Sequence, residues 1–122
     1  MKVILYIPRD HAYGRRLLSI VEKAIPKRLV AVFNMISALS QGLRGPLADT
    51  LLILCPSCRD EVQELSALRE MILDVRTILI LPDEERETVA IGHQFQPRFL
   101  TIPTPDFKDV AKVLTKMLHP RD

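Results

Sequence analysis

The sequence lacks several features that would point to a particular class of protein. It has no tryptophan and only 5% aromatic residues, so a stacking platform for nucleic-acid bases is not expected. Its formal net charge is only +2, whereas nucleic-acid binding usually needs a concentrated basic face. The composition therefore predicts no nucleic-acid partner.

Long apolar runs and a cysteine framework are also missing. No run approaches the roughly 18 apolar residues of a membrane span. The apolar start of the chain meets Pro8 too early for a signal-peptide core, and no small-residue cleavage site follows. Two cysteines are too few for a disulfide scaffold. These absences predict a cytoplasmic protein without membrane contact.

What is present is the composition of one globular domain, residues 1–122, with 48% hydrophobic and 26% charged residues. Short, continuously apolar runs alternate with segments of helical periodicity, and the prolines fall between them. The predicted strands are residues 3–7, 29–33, 51–54, 77–81 and 99–102. The predicted helices lie within residues 17–25, 35–43, 62–72, 83–94 and 107–118.

Apolar strands that alternate with helices predict a parallel sheet covered on both faces. At this length we expect an α/β, flavodoxin-like, doubly wound sheet of five strands in the order 2-1-3-4-5, with the third strand central. Ligands of such folds bind beyond the carboxyl ends of the strands. The candidate residues of a ligand pocket at this rim are Arg9, Asp10, Asp83 and Thr104, although the aspartates also suit helix N-caps.

The C-terminal segment RFLTIPTPDFKDVAKVLTKML, residues 98–118, carries a resemblance to a known family. It is similar to the "YLTKPF" strand end and the "ELL…I" helix of receiver domains from bacterial two-component response regulators. The similarity extends over essentially all 122 residues in length, element order and spacing. It implies the same flavodoxin-like (CheY-like) fold and a role in bacterial two-component signalling.

The resemblance implies phosphoryl transfer to an aspartate, yet the residues for it are replaced. The family holds Mg²⁺ with acids after strand 1, where this chain has Pro8 and Arg9. The acceptor aspartate falls on Leu54 or Cys55, and the conserved lysine of the family falls on Ile102. Without these groups the site cannot be assembled. We therefore expect a non-catalytic pseudo-receiver with no cofactor, acting through contacts with a protein partner.

The motif Cys55-Pro56-Ser57-Cys58 supplies an alternative, a thiol-redox protein or redox sensor. It follows a buried strand at the start of a helix, where amide groups stabilise a thiolate. Thioredoxin-type proteins use the same context, and Arg59 could add positive potential. Under the competing interpretation, Cys55 is a small core residue and Ser57 or Cys58 caps the helix.

Two weaker ideas concern small ligands. A zinc site would need histidine partners for the cysteines, and His11, His93 and His119 are the candidates. Surface histidines are the more common case, so we expect no metal. A small anion could bind near Arg9 at the end of strand 1, although no phosphate-binding motif is present.

In receiver domains the fourth helix, fifth strand and fifth helix form the partner surface. Here the fourth predicted helix has a thin apolar stripe that would leave part of its apolar side chains exposed. An exposed patch of this kind marks an interface, and a homodimer is one form that it can take. The residues of this candidate partner face are Val89, Ile91, Phe95 and Pro97.

Overall fold

Five parallel strands form the centre of the protein in a computed structural model that describes residues 1–118. The strands are β1 (Lys2–Tyr6), β2 (Val30–Phe33), β3 (Thr50–Leu54), β4 (Arg76–Ile80) and β5 (Phe99–Thr101). Their order across the sheet is β2-β1-β3-β4-β5, and every neighbouring pair is parallel. The predicted flavodoxin-like α/β fold and its strand order are confirmed.

Each crossover between strands carries a helix. The helices are α1 (Gly14–Ala24), α2 (Ile36–Gly42), α3 (Arg59–Ser66), α4 (Arg86–His93) and α5 (Lys108–Leu118). Helix α1 packs beside α5, and α3 packs beside α4. Within residues 1–118, no helix is both long enough and apolar enough to cross a bilayer.

The sheet is buried on both faces because its strands are apolar at almost every position. All five residues of β3 are buried, which confirms its central place. Alternate strand residues contribute to two cores. Leu5 and Ile53 belong to the core under α1 and α5, whereas Leu52 and Leu54 belong to the core under α2 and α3.

The third helix is shorter than its apolar spacing predicts. Periodicity favours a helix to residue 72, yet α3 ends at Ser66 and a 3-10 turn spans Arg69–Ile72. The buried hydroxyl of Ser66 donates to the carbonyl oxygen of Gln63 at 2.6 Å, a bond that competes with the regular helix. Ile72 still lies in the core. The apolar spacing therefore identifies a buried residue correctly, although that residue lies outside the α-helix.

Candidate functional site at the strand ends

Cys55 is the first residue beyond β3, at the end of the central strand. Its amide donates to the carbonyl oxygen of Tyr6 at 3.0 Å, which extends the pairing with β1 by one residue. The residue is 0% exposed and packs in the core beneath α1 and α5. Its only polar side-chain contact among the described residues is His11 Nε2, 3.4 Å from the Cys55 Sγ. Cys55 is therefore a core residue with one imidazole over it.

The hydrogen bonds of His11 assign its tautomer. The amide of Tyr13 donates to His11 Nδ1 at 3.0 Å, so Nδ1 is the unprotonated nitrogen. A neutral imidazole then carries its proton on Nε2, the nitrogen that faces Cys55. His11 donates towards the sulfur and cannot accept the thiol proton through that atom. The pair does not have the arrangement of a nucleophilic cysteine and its base.

The electrostatic environment also keeps the Cys55 thiol protonated. Burial raises the pKa of Cys55 from 9.0 to about 12, and the negative charge of Glu61 acts in the same direction. Desolvation disfavours the thiolate because an isolated charge loses its hydration in the core. Since the thiolate is the reactive form, burial holds Cys55 in its less reactive, protonated form at neutral pH.

Glu61, in the first turn of α3, links this helix to β1 and to the loop before it. Its carboxylate accepts hydrogen bonds from the Tyr6 hydroxyl at 3.1 Å, the Ser57 amide at 3.0 Å and the Ser57 hydroxyl at 2.7 Å. Burial, followed by the charge and hydrogen bond of Glu61, raises the pKa of Tyr6 above its usual range. Neither Glu61 nor Tyr6 was a candidate from the sequence. The spacing of Glu61, three residues after the N-cap Cys58, is that of a capping box and could have indicated it.

The second cysteine of the motif has a different environment from the first. Cys58 is exposed and is the N-cap of α3, but no side chain caps that helix end. The expectation that Ser57 or Cys58 supplies the cap is wrong, because the Ser57 hydroxyl donates to Glu61 instead. Both cysteines are free thiols. The Arg59 guanidinium forms ion pairs with two glutamates of the neighbouring segment, Glu85 and Glu87, which offset its positive charge.

A cavity of about 310 Å³ lies beside His11 at the end of the sheet. Asp10 lines this cavity. Asp83 and Thr104 do not line it, but each directly follows a lining proline, Pro82 and Pro103. Asp83 accepts a hydrogen bond from the Glu85 amide at 2.9 Å, just before α4. The Thr104 hydroxyl lies 3.5 Å from Oδ1 of Asp106. The same oxygen accepts a hydrogen bond from the amide of Lys108, the first residue of α5, at 3.1 Å. The lining residues of this cavity are Asp10, His11, Ala12, Tyr13, Ser57, Pro82 and Pro103.

Arg9 belongs to a different cavity, of about 380 Å³, between the start of α1 and the end of β2. Arg15 and Asn34 also line it, and Leu18 and Val32 provide an apolar part. The Asn34 amide nitrogen donates to the carbonyl oxygen of Ile7 at 2.9 Å, which ties β2 to β1 at this point. The four candidate rim residues are thus not gathered into one pocket.

No family model, curated protein or solved structure matches this chain. The sheet order is that of a flavodoxin-like fold, and such folds carry many unrelated functions. The function therefore has to be argued from the residues at the strand ends and on the surface.

The candidate partner face is more buried than its sequence predicts. The expectation that Phe95 contributes an exposed apolar surface is wrong, because the side chain is only 1% exposed and belongs to the core under α2 and α3. Gln96, which follows it, has φ of 51° and turns the chain towards β5. Val89 and Ile91 are half-buried against the same core. Pro97 is half-buried too.

The large apolar side chains that are exposed lie elsewhere. Val32 in β2 is 41% exposed and Met35, just beyond it, is 64% exposed. Met71 and Leu73, near the 3-10 turn after α3, are the other two. Among residues 1–118, no group of three histidine, cysteine or acidic side chains could hold a metal ion. His119, one of the histidines considered above, lies outside the described residues.

Proposed function

We propose that the protein is a non-catalytic cytoplasmic signalling module, a pseudo-receiver that acts through protein–protein contacts and is not phosphorylated on an aspartate. The observation that carries the proposal is the state of Cys55. It is one of the two residues, with Leu54, on which the acceptor position of the resemblance falls, and it is 0% exposed and has a raised pKa. A buried, protonated thiol offers neither a carboxylate for an acyl phosphate nor a nucleophile for another transfer.

The carboxylates near the strand ends support the same conclusion. Mg²⁺ requires several oxygen ligands, usually including carboxylates. The Glu61 carboxylate already accepts three hydrogen bonds from Tyr6 and Ser57. Asp83 accepts a hydrogen bond from the backbone before α4. Asp10 lines one cavity at the strand ends and Glu84 lines another. Neither lining includes a second carboxylate, and a single carboxylate is a poor magnesium site.

Phosphorylation with a small phosphodonor tests this proposal directly. The purified protein is incubated with acetyl phosphate and Mg²⁺ and its intact mass is measured, beside a receiver domain that retains its acceptor aspartate. We expect the control domain to gain a phosphoryl group and this protein to remain unmodified. A hydroxylamine-labile phosphoryl group on any aspartate of this chain would refute the proposal.

A thiol-redox function is the alternative, and the exposure of Cys58 beside the free thiol of Cys55 favours it. This function requires Cys55 to leave its buried position when a disulfide forms or is attacked. Equilibration in glutathione or dithiothreitol buffers measures the potential of the pair. A reversible intramolecular disulfide at about −180 to −270 mV would place the protein with thiol oxidoreductases and sensors. Thiols that stay reduced throughout this range would exclude that role.

A further inference from the structure

The strand β2 leaves one edge of the sheet open. The amide of Ile7 donates to the carbonyl oxygen of Phe33 at 3.0 Å, so Phe33 turns its backbone polar groups towards β1. The N–H and C=O of one strand residue point to the same side, and the next residue points its own pair to the opposite side. Val32 therefore presents its N–H and C=O groups to the open edge. Val30 presents only its C=O there, because its N–H donates to the carbonyl oxygen of Lys27.

The opposite edge of the sheet is better protected. All three residues of β5 are half-buried, and the flanking chain contains Pro97, Arg98 and Pro103. Short edge strands bordered by prolines and charges resist pairing with another chain. The strand β2 is also short and also preceded by a proline and charges, at residues 26–28, but its Ala31 and Val32 are exposed. The two edges thus differ in how far their strand residues are open to a further strand.

Helix α1 borders the open edge with a stripe of complementary charges. Leu18 and Val32 line the same cavity, which locates this side of α1 beside β2. Arg15 and Glu22 lie seven positions apart on the same stripe of the helix. Within residues 1–118, neither Arg15 nor Glu22 takes part in a salt bridge. In two antiparallel copies of α1 that cross near Leu18, Arg15 of each copy faces Glu22 of the other.

We propose that two copies of this chain associate through the open edges of β2, in antiparallel orientation, with the two α1 helices side by side on one face. The N–H and C=O of Val32, with the C=O of Val30, would form the backbone hydrogen bonds that join the two sheets into one of ten strands. Val32 and Leu18 supply the apolar contact, and Arg15 pairs with Glu22 of the second copy at both ends. A two-fold arrangement uses the same surface on both copies and leaves no β2 edge open.

This inference rests on the proposed function in one respect, that the protein acts by forming protein contacts, and it names a second copy as a partner. Sedimentation velocity over a range of concentrations tests it. The wild-type protein should pass from 13.9 kDa to twice that mass as its concentration rises. Val32→Pro removes an amide proton from the open edge while leaving the ladder to β1 intact, and it should remain monomeric.

Charge reversal tests the α1 contact without altering the strand. Arg15→Glu alone and Glu22→Arg alone each place two like-charged pairs at the interface, and each should weaken association by about tenfold. The double variant Arg15→Glu/Glu22→Arg should restore it. Lys23→Glu is the matched control, because Lys23 lines a cavity with α5 residues and faces away from the open edge. It should dimerise like the wild type.

Three results would overturn the inference: a wild-type protein that stays monomeric, a Val32→Pro variant that still dimerises, or a double variant no stronger than the singles. Circular dichroism establishes whether each variant is folded. If Val32→Pro does not fold, the charge variants alone test the inference. A monomeric protein that still resists acetyl phosphate would refute only the dimer. A dimer that becomes phosphorylated would refute only the proposed function.

Discussion

The stability of the protein in alkaline solution should depend on Cys55. Its thiol is 0% exposed, and burial together with the charge of Glu61 raises the pKa of Cys55 to about 12. In the unfolded chain the thiol has its ordinary pKa of 9.0. Between these values the native state keeps a proton that the unfolded state has lost. The stabilisation is fully present below pH 9 and is lost as the pH rises towards 12.

The size of the effect follows from the unfolded thiol. One pH unit above its ordinary pKa, the unfolded form is about ten parts thiolate to one part thiol. This lowers the free energy of unfolding at pH 10 by about 1.4 kcal/mol relative to pH 7. The pKa of Tyr6 is also raised, so the tyrosine makes a similar contribution that grows above its ordinary pKa of 10.0. A measurement at pH 10 therefore reports mainly on Cys55.

Urea denaturation at pH 7 and pH 10, under reducing conditions, measures this loss. Between the two pH values the wild-type protein should lose about 1.4 kcal/mol more than Cys55→Ala, because the variant has no buried thiol to titrate. Cys58→Ala is the matched control, since Cys58 is exposed, and it should follow the wild type. If Cys55→Ala and the wild type showed the same pH dependence, the thiol would be open to solvent and the argument from its burial would fail.

Two further substitutions test how the site is positioned. Gly14→Ala brings a Cβ to 2.9 Å from the Ile7 Cγ2, and it should lower the free energy of unfolding by about 1–3 kcal/mol. Gly45→Ala, where a Cβ meets nothing within 4 Å, should change it by less than about 0.5 kcal/mol. Glu61→Ala removes the acceptor of three hydrogen bonds and should cost about 1–3 kcal/mol, whereas the exposed Glu64→Ala serves as its control. Equal losses within either pair, measured by urea denaturation, would contradict the reasoning.

The sheet could be predicted from the sequence because its signals are local. Each strand is a continuous apolar run, and proline stands outside each run. The first strand was predicted at residues 3–7 and is Lys2–Tyr6, and the third was predicted at residues 51–54 and is Thr50–Leu54. Parallel pairing then left few possible orders. These agreements follow from burial on both faces, a property that the residue types themselves express.

The side-chain arrangement at the site could not be predicted in the same way. The contact between His11 and Cys55 joins a loop after β1 to the end of β3, and its geometry depends on the hydrogen bond from Tyr13. The spacing of the motif does not distinguish the solvent exposure of the two cysteines, whereas in the structure Cys55 is buried and Cys58 is exposed. Phe95 was misjudged for a related reason. It lies beyond the end of α4, where helical periodicity no longer indicates which side chain reaches the core.

The parallel order of the sheet has a consequence for the synthesis of this chain. β1 lies between β2 and β3, and Val3 pairs with both Val30 and Leu51. On the ribosome, one side of β1 therefore stays without its neighbour until the chain has extended beyond Leu54 and a second crossover has closed. Non-local pairing of this kind slows folding and prolongs the exposure of apolar segments. The apolar residues of β1 should therefore stay exposed on that side until β3 emerges and occupies the centre of the sheet.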